Sequence, residues 1–282
     1  MKLARYGDRG EEKPAIVDED DNLRDLSALV DDVNGSVLAN RMTELAALDP
    51  ASLPLVSGNP RLAEPVANAG KFICVGLNYA DHADEAGMDR PQEPILFFKA
   101  TSAIQGPNDD VVLPRGYSKA DWEVELGIVI GKQASYVNED EAGDYIAGYC
   151  VVNDLSERVF QLERSGQWVK GKSCDTFGPV GPWLVTPDTV GDIDNLGIWL
   201  EIDGQRVQDS NTDQMIFNTR HLVHYISQFM SLQPGDIIST GTPRGVGMGL
   251  KPPRWLQPGN SIRLGIDGLG VQQQRVRAPS QK

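Results

Sequence analysis

Cysteine, histidine, basic charge and long apolar runs are all scarce in this 282-residue chain, and each shortage removes a class of protein. The three cysteines, Cys74, Cys150 and Cys174, lie far apart and form no C-x-x-C pair. So sparse and odd a set excludes a disulfide framework and points to reduced thiols in a cytoplasm. Cys74 and Cys150 fall inside apolar, strand-like runs, where a thiol serves as core filler. No apolar stretch approaches the ~18 residues that a membrane-spanning helix needs. The opening MKLARYGDRGEEK has no apolar segment and turns acidic at once, so neither a secretory signal nor a transit peptide is expected. Lysine and arginine number 26 against 40 aspartates and glutamates, a net charge of −14. A phosphate backbone or an anionic bilayer would be repelled, which argues against nucleic-acid and membrane partners. An anionic small molecule would be repelled too, so a site for one needs a local cation.

What the chain has in quantity is glycine and proline, 29 and 18 residues, and they punctuate short apolar runs. That pattern predicts many short strands and turns: a mainly β, α+β protein rather than a doubly wound one. The expected strands are 72–76, 95–98, 123–130, 147–152, 198–202 and 236–240, with a short pair around 3–6 and 14–17. The Asp-Gly of IDGQ at 202–205 marks a two-residue hairpin. Helical spacing occurs at 36–47 and at 218–232, where Leu222, Ile226, Phe229 and Met230 would share a face. The acidic tract DEDDN reads as a solvated turn. A loose, proline-rich stretch at 50–65 sets a boundary near residue 66, giving a small front appendage, 1–66, and a catalytic unit, 67–282.

Four segments carry residues able to do chemistry. In WEVELGIVIG, strand alternation sends Glu123 and Glu125 to one face and Trp122, Val124 and Leu126 to the other. The pair is either an exposed polar face or the mouth of a cation site. Asp154 ends the apolar run GYCVVN, and with Glu157 it forms the D-x-x-E of a helix capping box. The alternative makes it a third oxygen ligand beside Glu123 and Glu125. Three carboxylates gathered within ~4 Å would cost ~4 kcal/mol per pair at an effective dielectric of ~20. Convergence would therefore require a hard divalent cation, Mg²⁺ or Mn²⁺ rather than Zn²⁺.

His82, in GLNYADHADEAG, is either a solvated loop histidine or, if 80–86 is helical, the i,i+3 neighbour of Glu85, which could orient it as a general base. His221 and His224 accompany an amphipathic helix and read as surface or packing residues. Gly166 to Ser173, GQWVKGKS, satisfies the letters of a phosphate-binding loop. A charged, helix-like segment precedes it and CDTFGPVGP follows, so the strand-loop-helix context is missing. Lys172 then stands as a cation on a short loop. The glycine-rich STGTPRGVGMG, 239–249, is either a flexible loop or one offering hydroxyls and amides to a carboxylate.

Taken together, GLNYADHADE (76–85), PILFFKATSAI (94–104), WEVELGIVIGK (122–132), YCVVNDLSERVFQ (149–161), KGKSCDTFGP (170–179), MIF (215–217) and GDIISTGTPRGVG (235–247) resemble the fumarylacetoacetate hydrolase family, especially its short acylpyruvase-like branch. The resemblance covers residues ~70 to 269 in the family's order. It implies a mixed β-sandwich roll, a homodimer, and one divalent ion, Mg²⁺ or Mn²⁺, per subunit at the sheet mouth. By its motifs, Glu123, Glu125 and Asp154 match the metal ligands, and His82 and Glu85 match a water-activating dyad on a segment that acts as a lid. Lys172 matches the lysine beside the substrate, and Arg158, Gln161 and Thr242 match substrate contacts.

The activity implied is hydrolysis of the C3–C4 bond of a small anionic 2,4-dioxo acid to pyruvate and a second acid. The substrate would be an acylpyruvate or, preferred here, a 2,4-dioxo-3-deoxy sugar acid such as the L-rhamnonate or L-fuconate derivative. Oxaloacetate decarboxylation and 2-oxo acid isomerase or lyase chemistry are the alternatives on such a site. A non-catalytic binding protein is disfavoured, because neither a ligand nor His82 is lost.

Overall fold

The computed structural model describes residues 1–279. The strand Val124–Ile130 lies within a ten-stranded mixed sheet. On one side of it run Ile146–Asn153, Gly178–Val185, Lys2–Tyr6, Lys13–Val17 and Leu23–Asp25. On the other side run Ile237–Ser239, Phe72–Gly76 and, at the edge, Ile95–Lys99. The short strand Ile104–Gln105 pairs with Gly178–Val185 off this path. Each strand expected from the sequence is present within a residue or two of its predicted limits. Residues 1–66 are stitched into the same sheet: Lys2 pairs with Val185 and Leu3 with Leu184. The acidic tract forms the turn between the second and third strands, with Asp18 accepting from the amides of Asp20 and Asn22.

A second, five-stranded sheet contains the hairpin Gly197–Ile202 and Gln205–Asn211, whose turn residues Asp203 and Gly204 both have positive φ, as the sequence predicts. Ser261–Ile266, Gly270–Arg277 and Val111–Val112 complete it. Alternation in Val124–Ile130 decides how the sheets pack. Val124, Leu126, Ile128 and Ile130 enter a core shared with Ile198, Leu200, Ile262 and Leu264 of the second sheet. Val129 faces the opposite side, where Cys150 and Phe72 meet Val37, Leu38 and Leu45 from the helices Gly35–Asn40 and Met42–Ala46. Apolar burial on both faces, worth about 25 cal/mol per Å² of area removed from water, gives the strand ends a rigid base.

One helical expectation is corrected. The helix Thr219–Ser227 buries Leu222 and Ile226, but it stops before Phe229, which is 63% exposed. Phe229 lies edge-on against Tyr225 with ring centroids 4.9 Å apart, on the outside of the helix. Among the described residues no helix is long and apolar enough to cross a membrane.

Candidate active site and metal centre

Strand register brings the three carboxylates together. Val152 pairs with Glu125 and Asn153 with Val124, and the Asp154 amide donates to the Glu123 carbonyl at 2.9 Å. Glu123 and Glu125 therefore leave one face of their strand, and Asp154 arrives from the end of its neighbour. One oxygen from each of Glu123, Glu125 and Asp154 can be chosen so that all lie within 4.8 Å of one another, and all three residues are buried. The exposed-face alternative for the glutamates is excluded.

The capping-box alternative for Asp154 fails as well. The segment after it is a two-residue strand, Ser156–Glu157, and then a π-helical turn, Val159–Glu163. Glu157 instead accepts from the amides of Ser118, Lys119 and Val159.

Three buried cations share the cluster's charge. Lys172 donates to Glu123 at 2.5 Å and to Asp154 at 2.8 Å. Lys99 donates to the other oxygen of Asp154 at 2.6 Å and to the Leu155 carbonyl at 3.0 Å. Arg158 reaches Glu123 at 2.6 Å and Asp121 at 2.9 Å through separate nitrogens, and Gln161 at 2.9 Å. The expectation that only a divalent ion could hold the carboxylates together is thus corrected in part: ammonium and guanidinium groups do some of it.

These pairings split the two glutamates electrostatically. Burial opposes ionisation of Glu123, yet Lys172 and then Arg158 bring its pKa down to about 2. Burial, followed by the charges of Asp154 and Glu123, pushes Glu125 well above the usual range. Among the described residues Glu125 is hydrogen-bonded only by the Ser239 hydroxyl at 2.6 Å and the Gly241 amide at 2.9 Å. Ionising all four of Asp121, Glu123, Glu125 and Asp154 would set four carboxylates against the three cations Lys99, Lys172 and Arg158, one negative charge in surplus. A buried, all-oxygen donor set with surplus negative charge fits a hard divalent cation of the Mg²⁺ or Mn²⁺ kind.

His82 and Glu85 occupy the short helix Ala80–Ala86, and His82 Nδ1 lies 3.3 Å from Glu85 Oε2. Glu85 is held in turn by the Gly245 amide at 3.0 Å, and Asp81 of the same helix accepts from the Ser210 hydroxyl at 2.7 Å. Leu77, just before the helix, has a φ of 54°, a left-handed conformation costing a side-chain-bearing residue about 1–3 kcal/mol. His82, Glu123, Glu125, Arg158, Gln161 and Lys172 all face one cavity of about 290 Å³, and Thr242 also lines it. Thr242 already donates to the Val124 carbonyl at 2.9 Å and accepts from Gln208 at 2.9 Å, so its hydroxyl is anchored. His221 and His224 lie elsewhere, beside Glu139 and the Val137 carbonyl, as packing and surface residues.

Lys172 sits on the helical turn Val169–Lys172 and is buried rather than placed on an open loop. A Cβ on Gly171 would meet the Gln161 nitrogen and the Glu157 oxygen at 2.5 Å, so this glycine permits close backbone packing and cradles no phosphate. The site also contains residues to which sequence reasoning gave no role: Lys99, Asp121, Gln208 and Ser239. A lysine at the end of the apolar run ILFF was the one available signal for Lys99.

A β-sandwich with carboxylates and a histidine dyad at a strand mouth defines a class of protein, and the comparisons agree. The fumarylacetoacetate (FAA) hydrolase C-terminal family model matches residues 71–277, and the chain belongs to that family. A protein of Burkholderia multivorans, named provisionally a hydrolase, is 59% identical over 280 residues, covering 99% of each chain. The fumarylacetoacetate hydrolase of Exiguobacterium antarcticum superposes with a TM-score of 0.89 at 33% identity, covering 99% of both chains. Maleylpyruvate hydrolase from Sphingobium sp. SYK-6, solved with manganese(II) and pyruvate, has a TM-score of 0.83 at 30% identity, covering 99% of this chain and 100% of its own.

Proposed function

We propose that the protein is a divalent-metal-dependent hydrolase that cleaves the C3–C4 bond of a 2,4-dioxo acid to pyruvate and a second acid. The observation that carries the reading is the sharing of one cavity by an oriented histidine and by Glu123 and Glu125, two of the three clustered carboxylates. The pyruvate in the related maleylpyruvate hydrolase agrees with the product assigned.

Glu123, Glu125 and Asp154 would hold Mg²⁺ or Mn²⁺, which when bound supplies Lewis-acid charge beside the 2-oxo carboxylate end of the substrate. Glu85 accepts from His82 Nδ1, which fixes the tautomer with Nε2 free as a base. His82 Nε2 takes a proton from water, and the hydroxide oxygen bonds to C4. Lys172, with Gln161 beside Arg158, stabilises the negative charge that develops on the C4 oxygen. Breaking C3–C4 leaves the electron pair on the three-carbon fragment, and protonation of C3 gives pyruvate. Arg158 is occupied by Asp121 and Glu123, so it positions Gln161 more than it neutralises substrate.

The test is release of pyruvate from a panel of 2,4-dioxo acids, with and without Mg²⁺. No metal-dependent pyruvate from any of them, alongside brisk oxaloacetate decarboxylation, would replace this reading with a decarboxylase.

A further inference from the structure

The helix that carries His82 and Glu85 cannot hold its own place. Ala80–Ala86 has 7 residues, well below the roughly 12–15 at which a helix persists without tertiary support. Among the described residues its N-cap, Tyr79, gives no side-chain hydrogen bond to the first turn. Leu77, two positions earlier, keeps its left-handed φ of 54°, a strain that persists only where neighbouring contacts over-determine the backbone. Those contacts converge on Asn78, which is fully buried. Its side-chain amide donates to the Phe217 carbonyl at 3.0 Å and to the Thr240 carbonyl at 2.7 Å, and its oxygen accepts from the Phe217 amide at 2.9 Å. Its own carbonyl accepts from the Ile216 amide at 2.8 Å. Both side-chain N–H groups are used, so no apolar or single-donor side chain could satisfy the same partners. Gly241 makes the fit possible: it has a φ of 103°, and a Cβ there would meet the Asn78 Cβ at 2.8 Å.

Thr240 gives the contact its reach. It lies between Ser239 and Gly241, whose hydroxyl and amide hold Glu125. Further along the same loop the Gly245 amide holds Glu85. One buried side chain therefore ties the start of the His82 helix to the segment that fixes a carboxylate of the cluster. A misplacement of about 1 Å between a catalytic group and its target can cost about 10²-fold in rate, so this tie acts on the chemistry without touching it.

We propose that Asn78 is a positioning residue that sets the place of His82 relative to Glu123, Glu125 and Asp154. For its effect on rate this rests on the hydrolase reading above; for where the helix is held it stands alone.

Asn78→Asp keeps the size and the acceptor for Phe217 but sets an oxygen against the two carbonyls. In the Mn²⁺-loaded protein its kcat for pyruvate release from a 2,4-dioxo acid should fall about 10–100-fold, with KM within about twofold of wild type. Mn²⁺ affinity, oxalate affinity and any oxaloacetate decarboxylation should be spared. Added to His82→Ala, the same substitution should cost no further activity, because it acts only through the base. Hydrogen exchange of a peptide spanning 80–87 should be about tenfold faster than in wild type, with that of 124–130 unchanged. Asn78→Ser, which keeps one donor and one acceptor in less volume, gives the same readouts should the aspartate variant not fold. An unchanged kcat, a matching loss of Mn²⁺ affinity, an additive loss in the His82→Ala background, or unaltered exchange over 80–87 overturns the proposal. If the wild-type protein cleaves no 2,4-dioxo acid, the hydrolase reading falls and exchange alone decides: acceleration confined to 80–87 keeps Asn78 in its role, and unaltered exchange removes it. If 2,4-dioxo acids are cleaved and Asn78→Asp matches wild type, the hydrolase reading stands and the proposal falls.

Discussion

Lys99 donates to Asp154 at 2.6 Å with neither side chain exposed to solvent, which pins one carboxylate oxygen and leaves the other to Lys172. Removing one partner of a buried ion pair leaves an uncompensated charge and costs about 3–5 kcal/mol. Lys99→Met should therefore lower stability by that order and weaken Mn²⁺ binding, because Asp154 loses the contact that sets its orientation. Chemical denaturation and calorimetric Mn²⁺ titration read the two effects separately. An undiminished Mn²⁺ affinity in a folded Lys99→Met protein would show that Lys99 does not orient Asp154.

The two glutamates make metal removal pH-dependent in opposite senses. Glu125 binds its proton more tightly in the folded chain, because of burial and then Asp154 and Glu123. Its contribution to stability is present below the ordinary carboxylate range and is lost as pH rises through the elevated value. Glu123, with a pKa near 2 against an ordinary 4.5, contributes above 4.5 and loses that contribution as pH falls toward 2. A divalent ion removes the penalty at Glu125. The Tm gained on adding Mn²⁺ to chelator-treated protein should thus grow as pH rises from the ordinary carboxylate range toward the elevated value of Glu125. Differential scanning calorimetry across that range measures it, and a constant or shrinking gain would contradict the assignment of the surplus charge to Glu125.

Gly171→Ala separates close packing from phosphate binding. The added methyl must displace backbone atoms of Glu157 and Gln161 at 2.5 Å, shifting the turn that carries Lys172. The variant should lose about 1–3 kcal/mol of stability and most of its activity. Wild-type protein should show no magnesium-dependent ATP binding by calorimetry. Tight ATP binding abolished by Lys172→Ala would restore the phosphate-loop reading.

Local pattern carried the strands and the carboxylates into view, since period-2 alternation alone places Glu123 and Glu125 opposite Val124 and Leu126. Asp154 was legible only as an alternative, because D-x-x-E is equally the signature of a helix start. The decision lay in the pairing of Val152 with Glu125, a long-range register that no local window contains. Lys99 and Asp121 stayed silent for the same reason: their partners lie 55 and 37 residues away. Phe229 misled because helical spacing continued past the point at which the helix ends.

The final prediction separates activated water from metal chemistry at His82. Hydrolysis of C3–C4 needs a base to deprotonate water, whereas decarboxylating a β-keto acid needs only a cation to accept the developing enolate. His82 makes no hydrogen bond to Glu123, Glu125 or Asp154 among the described residues, and its ring nitrogen turns to Glu85. His82→Ala should accordingly keep its Mn²⁺ affinity and its affinity for oxalate. Its pyruvate release from 2,4-dioxo acids should fall by about 10²–10⁴-fold, the usual worth of general-base catalysis. Any oxaloacetate decarboxylation should fall far less. Glu85→Gln should reproduce the pattern more mildly, because the base remains while its orientation loosens and the Gly245 amide loses a charged acceptor. Steady-state kinetics on both substrates, with Mn²⁺ titration of each variant, make the comparison. If His82→Ala cleaves 2,4-dioxo acids as fast as wild type, water is activated elsewhere and the dyad serves only to anchor the Ala80–Ala86 helix.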